Sequence, residues 1–172
     1  MRPHRIFKNF AHFGAAQTGV FPLSNRVLAI ASGGGHWIEL QRLRPAFEDL
    51  EVVYASVYPQ YAEDVPGHRF YSFRDVSRWD RFGFFVLAIQ MLRLLLIERP
   101  KIVITTGSLP CCIALMLAKY LLGAKTMWID SIANVQQLSS SGKLAGKFVD
   151  VWLTQWPGLA RENGPHHWGA VL

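Results

Sequence analysis

Short apolar runs ending in small residues recur along this chain, with helical periodicity filling the gaps between them. VLAIAS at 27–32, EVVYAS at 51–56, KIVITT at 101–106, AKTMWID at 124–130 and DVWLTQ at 150–155 each read as a buried strand. Trp37, Leu40, Leu43 and Phe47 follow the first run near helical spacing. A long helix is expected over 79–98, ended by Pro100, which disfavours helical geometry in the residue before it. CCIALMLAKYLL is a further helix, with Pro110 at its start and Gly123 at its stop. A short helix is expected around 143–148, a short strand at 69–73 and a last strand, HHWGAVL, at 166–172. Strands alternating with helices imply a parallel sheet covered on both faces, an α/β, Rossmann-like doubly wound fold.

Such sheets bind ligands beyond the carboxyl ends of their strands, so the residues there matter most. After the first strand comes Ser32-Gly33-Gly34-Gly35-His36. Glycines let backbone approach a ligand closely, and N–H groups at a helix start suit an anion. His36 falls in the first turn of the next helix, pointing into the crevice. The third of these runs, KIVITT, leads through Thr105-Thr106 into Gly107-Ser108, either a capped turn or a second docking point for an oxygen-rich ligand. After AKTMWID, Asp130 stands where a buried strand emerges, and a strand-end carboxylate can act as a general base or hold sugar hydroxyls. Ser131 and Asn134 follow, then Ser139-Ser140-Ser141-Gly142-Lys143. The serines suit a helix cap, and Lys143 with Lys147 suits either a phosphate contact or a solvated face.

Several chemistries lack their residues. GGGH does not supply G-x-G-x-x-G, and Ala55-Ser56-Val57 lies where a ribose-binding acid belongs, which weakens a nicotinamide reading. No P-loop, zinc spacing or G-x-S-x-G elbow occurs. His166 and His167 are consecutive and point to opposite faces of a strand, so they make no metal pair. The two cysteines, Cys111 and Cys112, are adjacent and read as small apolar residues opening a buried helix. The formal net charge is +6. Arg2, Arg5, Lys8, Arg26, Arg42 and Arg44 face only Glu39 in residues 1–44, as suits an anionic surface. Basic–aromatic interleaving for nucleic acid is absent beyond the N-terminal arm, so no nucleic-acid partner is expected. FGFFVLAIQMLRLLLI at 82–97 is the most hydrophobic stretch. As a helix it would span roughly 24 Å against a ~30 Å hydrocarbon core, and Gln90 and Arg93 interrupt it, so a buried or membrane-grazing helix fits better.

Three segments together, ASGGGHWIELQRL (31–43), ERPKIVITTGS through LTQWPGLA (98–160) and HWGAVL (167–172), resemble a known pattern. It is that of the membrane-associated subunit of the two-chain UDP-N-acetylglucosamine transferase of lipid-linked oligosaccharide synthesis, the asparagine-linked-glycosylation "fourteen" family. Bacterial exopolysaccharide glycosyltransferase subunits share it, and the N-terminal half of the transferase of the peptidoglycan lipid intermediate is fainter kin. The resemblance covers residues 26–172 and implies the N-terminal, acceptor-side half of a GT-B glycosyltransferase. It implies a UDP-sugar as donor substrate, no cofactor and no metal, and a lipid-pyrophosphate-linked acceptor. It also implies a donor-binding GT-B C-terminal-half subunit as partner, and peripheral attachment to the cytoplasmic face of a membrane, a bacterial inner membrane rather than endoplasmic reticulum.

Residue by residue, Gly34, Gly35 and His36 match the family's glycine-His motif and Gly107 its loop glycine. Asp130 and Ser131 stand for its Glu-Ser, and Leu138, Ser139, Ser141, Gly142 and Lys143 match its Ser-Gly-Lys motif. Gln155 and Trp156, with Pro157, match its Gln-Trp-Pro motif and with Arg93 are expected to meet partner or membrane. Three features depart: Asp130 is one methylene shorter than Glu, Asn134 replaces a common basic residue, and a basic arm with Phe7, Phe10 and Phe13 stands at 1–25 where a membrane anchor is usual. The arm suits either an anionic lipid surface or a disordered leader. A whole GT-B enzyme needs two α/β domains and this sequence holds one, so a partner chain is expected. The expected mechanism is direct displacement at the anomeric carbon, with His36 or Asp130 deprotonating the acceptor oxygen and the glycine loops with Lys143 holding pyrophosphate. The rival readings are a non-catalytic membrane scaffold for the partner and a nicotinamide-binding module.

Overall fold

Side chains on a strand alternate between faces, and here both faces of every central strand are apolar. The computed structural model describes residues 26–48, 50–76 and 80–171. Its six strands are β1 (Arg26–Ile30), β2 (Glu51–Ser56), β3 (Arg69–Ser72), β4 (Ile102–Thr105), β5 (Lys125–Ile129) and β6 (Val151–Leu153). All pair in parallel, in the order β3-β2-β1-β4-β5-β6. The direction of winding reverses between β1 and β4, which is the switch point where doubly wound sheets take their ligands.

Among the described residues four α-helices clothe the sheet: α1 (Gly35–Arg42), α2 (Arg81–Glu98), α3 (Leu109–Leu122) and α4 (Ser140–Ala145). Val27, Ala29, Ile104 and Met127 face the side covered by Trp37 and Leu40 of α1, by Leu43 just past its end and by Val171. Leu28, Ile30, Val103 and Trp128 face the other side, against Leu87, Met91 and Leu95 of α2 and Cys111, Ala114, Leu115 and Ala118 of α3. Burial pushes both cysteine thiols up to about 11, which suits their place as small core residues.

Local signals end the helices where expected. The Asp80 side chain accepts from Gly83 N at 2.7 Å and caps α2, whose far end closes at Arg99 with φ 44 before Pro100. Pro110 sits in the first turn of α3, and Gly123 at φ 64 ends it. The helix expected at 143–148 instead begins at Ser140, because Ser139 caps it by accepting from Gly142 N at 2.8 Å. The strand expected at 166–172 does not form. His166 alone bridges Leu153, and Gly169 at φ 136 turns the chain out of register. The arm expected at 1–25 and the expected start of α2 at Trp79 lie outside the described residues.

Candidate functional site

Three strand ends meet at the switch point. Beyond β1, Gly34 at φ 66 turns the chain into α1, and its N–H donates to the Tyr61 hydroxyl at 3.1 Å. Gly33 is required by crowding, since a Cβ there would lie 2.1 Å from the Tyr58 ring. The first turn of α1 carries His36, whose Nδ1 pairs with Ser32 Oγ at 2.8 Å and whose backbone carbonyl accepts from Thr106 Oγ1 at 2.6 Å. A Cβ on Gly107 would lie 2.6 Å from His36 Nε2, so only glycine lets this imidazole stand against the loop after β4. Burial lowers the imidazole pKa below its ordinary 6.5 and outweighs the Glu39 and Asp130 carboxylates, which pull it upward. The ring is therefore neutral at neutral pH and able to accept a proton.

Beyond β4, Thr105 Oγ1 accepts from Gly107 N at 3.1 Å, and Gly107 takes φ 141. Ser108 then adopts φ 87 and ψ 150, a region almost reserved for glycine, at the start of α3.

Beyond β5, Asp130 is 1% exposed and fully engaged. Its Oδ1 accepts from Trp128 Nε1 at 3.1 Å and Ser139 Oγ at 2.5 Å, and its Oδ2 from Ser139 N at 2.9 Å and Asn134 Nδ2 at 3.3 Å. The carboxylate folds the 131–139 loop back onto the sheet and starts α4. A Cβ on Gly142 would lie 2.6 Å from Asp130 Oδ1, so this glycine serves packing.

These ends enclose a cleft of about 800 Å³ lined by Ser32, Gly33, Gly34, Ser108, Ser140 and Ser141, with Tyr58 and Leu109 at its sides. Of the residues singled out in the sequence, Gly34 and Ser141 line it. His36 and Gly107 stand one step behind, bonded to Ser32 and adjoining Ser108. Gly35 and Lys143 are exposed, and Ser131 is buried with its hydroxyl donating to Glu39 Oε1 at 2.7 Å. Arg93 lies apart, exposed on α2 beside a groove of about 260 Å³ with Tyr71 and Phe73.

Gln155 requires a correction, because its side chain cannot meet a partner or a membrane. It is 3% exposed, its Nε2 donates to Glu39 Oε2 at 2.7 Å and to the Asp130 carbonyl at 3.1 Å, and its Oε1 accepts from Val171 N at 2.9 Å. Trp156 is half-buried, and its Nε1 donates to the Ile132 carbonyl at 2.7 Å. Sequence reasoning passed over Glu39, a buried acid three residues after His36 on an apolar helix face, and Tyr58, just past the end of β2.

An open parallel sheet with this winding and this mouth defines the chain as having the fold of one half of a GT-B glycosyltransferase. It superposes on MurG of Acinetobacter baumannii with a TM-score of 0.65 at 13% identity, covering 84% of this chain and 45% of that one. Residues 80–172 match the family described as "Oligosaccharide biosynthesis protein Alg14 like", and the chain belongs to that family. It is 40% identical over 65 residues to the UDP-N-acetylglucosamine transferase subunit alg14 of Schizosaccharomyces pombe, covering 36% of this chain and 31% of that protein. It is 27% identical over 165 residues to the human subunit ALG14, covering 77% of this chain and 76% of that one. The match therefore spans under a third of the length of the fission-yeast relative, and the chain spans under half of the MurG chain.

Proposed function

We propose that this chain is the acceptor-side subunit of a UDP-N-acetylglucosamine-dependent glycosyltransferase. Residues 26–172 bind a lipid-pyrophosphate-linked acceptor, and a second, donor-binding chain holds the nucleotide sugar. One observation carries the reading. In a family whose relatives are named as subunits of such a transferase, the switch point holds a serine- and glycine-lined cleft with a neutral imidazole directly behind it. The Gly33 and Gly35 N–H groups and the serines offer hydrogen-bond donors to a pyrophosphate, and Lys143, exposed on the same short helix as Ser140 and Ser141, adds positive charge. His36 takes the proton from the attacking acceptor hydroxyl as the glycosidic bond forms and the UDP leaving group departs. Asp130, its four acceptor positions occupied, holds the loop in place and takes no proton.

A membrane contact, on the cytoplasmic face of a bacterial inner membrane, belongs to the same reading. Among the described residues no helix is long and apolar enough to cross a membrane. The outer faces of α2 and α3 nevertheless expose Phe82, Phe85, Ile89, Leu96, Met116 and Tyr120, with Arg93 beside them. Phe82, Phe85, Ile89 and Leu96 follow helical spacing along one stripe, as expected of a surface resting on lipid.

The test is transfer of radiolabel from UDP-N-acetylglucosamine into a membrane lipid extract by this chain co-expressed with its donor-half partner. His36→Ala is expected to lower the rate by about 100-fold or more at unchanged thermal stability, the span of a lost general base. A scaffold reading draws support from the buried, saturated state of Asp130. Full activity in a complex carrying both His36→Ala and Asp130→Asn would establish that reading instead.

A further inference from the structure

Glu39 is a buried carboxylate for which packing alone has no use. It is 4% exposed, and among the described residues it forms no salt bridge. Its partners are neutral donors from two other strand ends. Ser131 Oγ donates at 2.7 Å, Ile132 N at 3.3 Å and Gln155 Nε2 at 2.7 Å. Burying a carboxylate without a cation costs several kcal/mol, which good hydrogen bonding only partly offsets. An apolar side chain would fill this part of the α1 face at lower cost.

The geometry points to Glu39 as a positioning residue. It fastens the helix that carries His36 to the loop leaving β5 and to the end of β6, and so sets where the imidazole stands against Gly107 and the serines of the cleft. This rests on the reading of His36 as the base in sugar transfer. Glu39 follows His36 by three positions, so the two are neighbours on the helix surface. A tilt of α1 would move the imidazole and the Gly34 turn together. The tether also continues outward, since Gln155 Oε1 holds Val171 N and Arg42 Nη1 of α1 donates to the Val171 carbonyl at 2.9 Å.

The charges facing His36 are few. Glu39 comes from its own helix and Asp130 from the end of β5, while Ser32, Thr106 and Gly107 bring no charge from the ends of β1 and β4. Both carboxylates favour the imidazolium, so loss of the Glu39 charge moves the His36 titration to lower pH.

Two variants test the proposal. Glu39→Gln removes the charge and sets an amide N–H where an acceptor is needed. The exchange Glu39→Gln with Gln155→Glu restores a donor–acceptor pair between the two positions. In the complex with its partner, Glu39→Gln is expected to lower kcat about tenfold with the acceptor KM within about twofold. A misplacement of about 1 Å can cost a hundredfold. The exchange recovers part of the lost kcat: a carboxylate at position 155 accepts from residue 39 and from Val171 N but no longer donates to the Asp130 carbonyl. In NMR of the full chain, with His36 assigned through His36→Gln, the imidazole of Glu39→Gln titrates at lower pH than the wild type. If that variant does not fold, the exchange is titrated in its place, with a smaller downward shift expected because the charge moves to position 155 instead of leaving. Unchanged kcat, or a His36 titration superimposable on the wild type, overturns the role given to Glu39. A wild-type complex inactive with UDP-N-acetylglucosamine sinks the transferase reading, and the titration still decides whether residue 39 governs the imidazole.

Discussion

Two glycine sites flank the cleft, and they do opposite work. Around Gly34 and Gly35 the space is empty, for a Cβ at either position would meet nothing within 4 Å. Around Gly142 the space is full, with Asp130 Oδ1, Ser139 Oγ and Trp128 Nε1 all within about 3 Å of such a Cβ. The first leaves the Gly35 backbone bare for something outside the protein. The second lets a buried carboxylate close against the start of a helix. Glycine in a motif thus marks close approach, and only the surroundings tell whether the approaching group is a ligand or the protein itself.

The comparison breaks first at Asp130, where the largest effect on stability is expected. Asp130→Ala strips the partner from Ser139, Asn134 and Trp128 in a buried setting, and is expected to cost about 3 kcal/mol or more in urea unfolding. A loss under about 1 kcal/mol would mean that the closed side of the cleft is not organised by this carboxylate. Gly142→Ala follows. The added methyl must displace Asp130 or Ser139, neither of them the end of a long flexible chain, and overpacking of this kind costs about 2 kcal/mol. Equal stability of wild type and Gly142→Ala would erase the distinction between the two glycine sites.

Much of the frame was legible because hydrophobic periodicity and helix stops act locally. VLAIAS, KIVITT and AKTMWID became β1, β4 and β5, and Pro110 with Gly123 bracketed α3 within a residue or two. The position of the mouth was legible for the same reason, since a parallel sheet has its ligand end fixed by topology. Side-chain direction was not. Gln155 and Asp130 sit in motifs that read as contact surface and as base, yet both turn inward. Their partners, Glu39, Val171 and Ser139, lie 116, 16 and 9 residues away, beyond what local spacing reveals. HHWGAVL carries the apolar content of a strand, but Gly169 at positive φ outweighs it.

A smaller effect comes from pH. His36 has a folded pKa below its unfolded value, so the unfolded chain binds the extra proton first. The stability tied to His36 is present above pH 6.5 and is lost as pH falls from there through the lowered folded pKa. Unfolding of His36→Gln between pH 7.5 and 5 is expected to show a shallower decline than the wild type. Parallel profiles would mean that the imidazole is as well solvated in the fold as out of it, and so not held behind the open turn.

The smallest change in stability is expected at Gly35, and it sharpens the comparison most. Gly35 is the first residue of α1 and its φ lies outside the positive range, so alanine fits the backbone there. Alanine in a helix is favoured over glycine by up to about 1 kcal/mol, and no neighbour opposes the new methyl, so Gly35→Ala is expected to melt at the same temperature or slightly higher. Transfer by the complex is nevertheless expected to fall, because the methyl covers backbone that a pyrophosphate must approach. A glycine whose loss improves the fold and harms the reaction is held for a ligand. If Gly35→Ala keeps full transfer, the bare backbone beyond β1 is open without being used, and the pyrophosphate must be sought at Ser108 and the serines of α4.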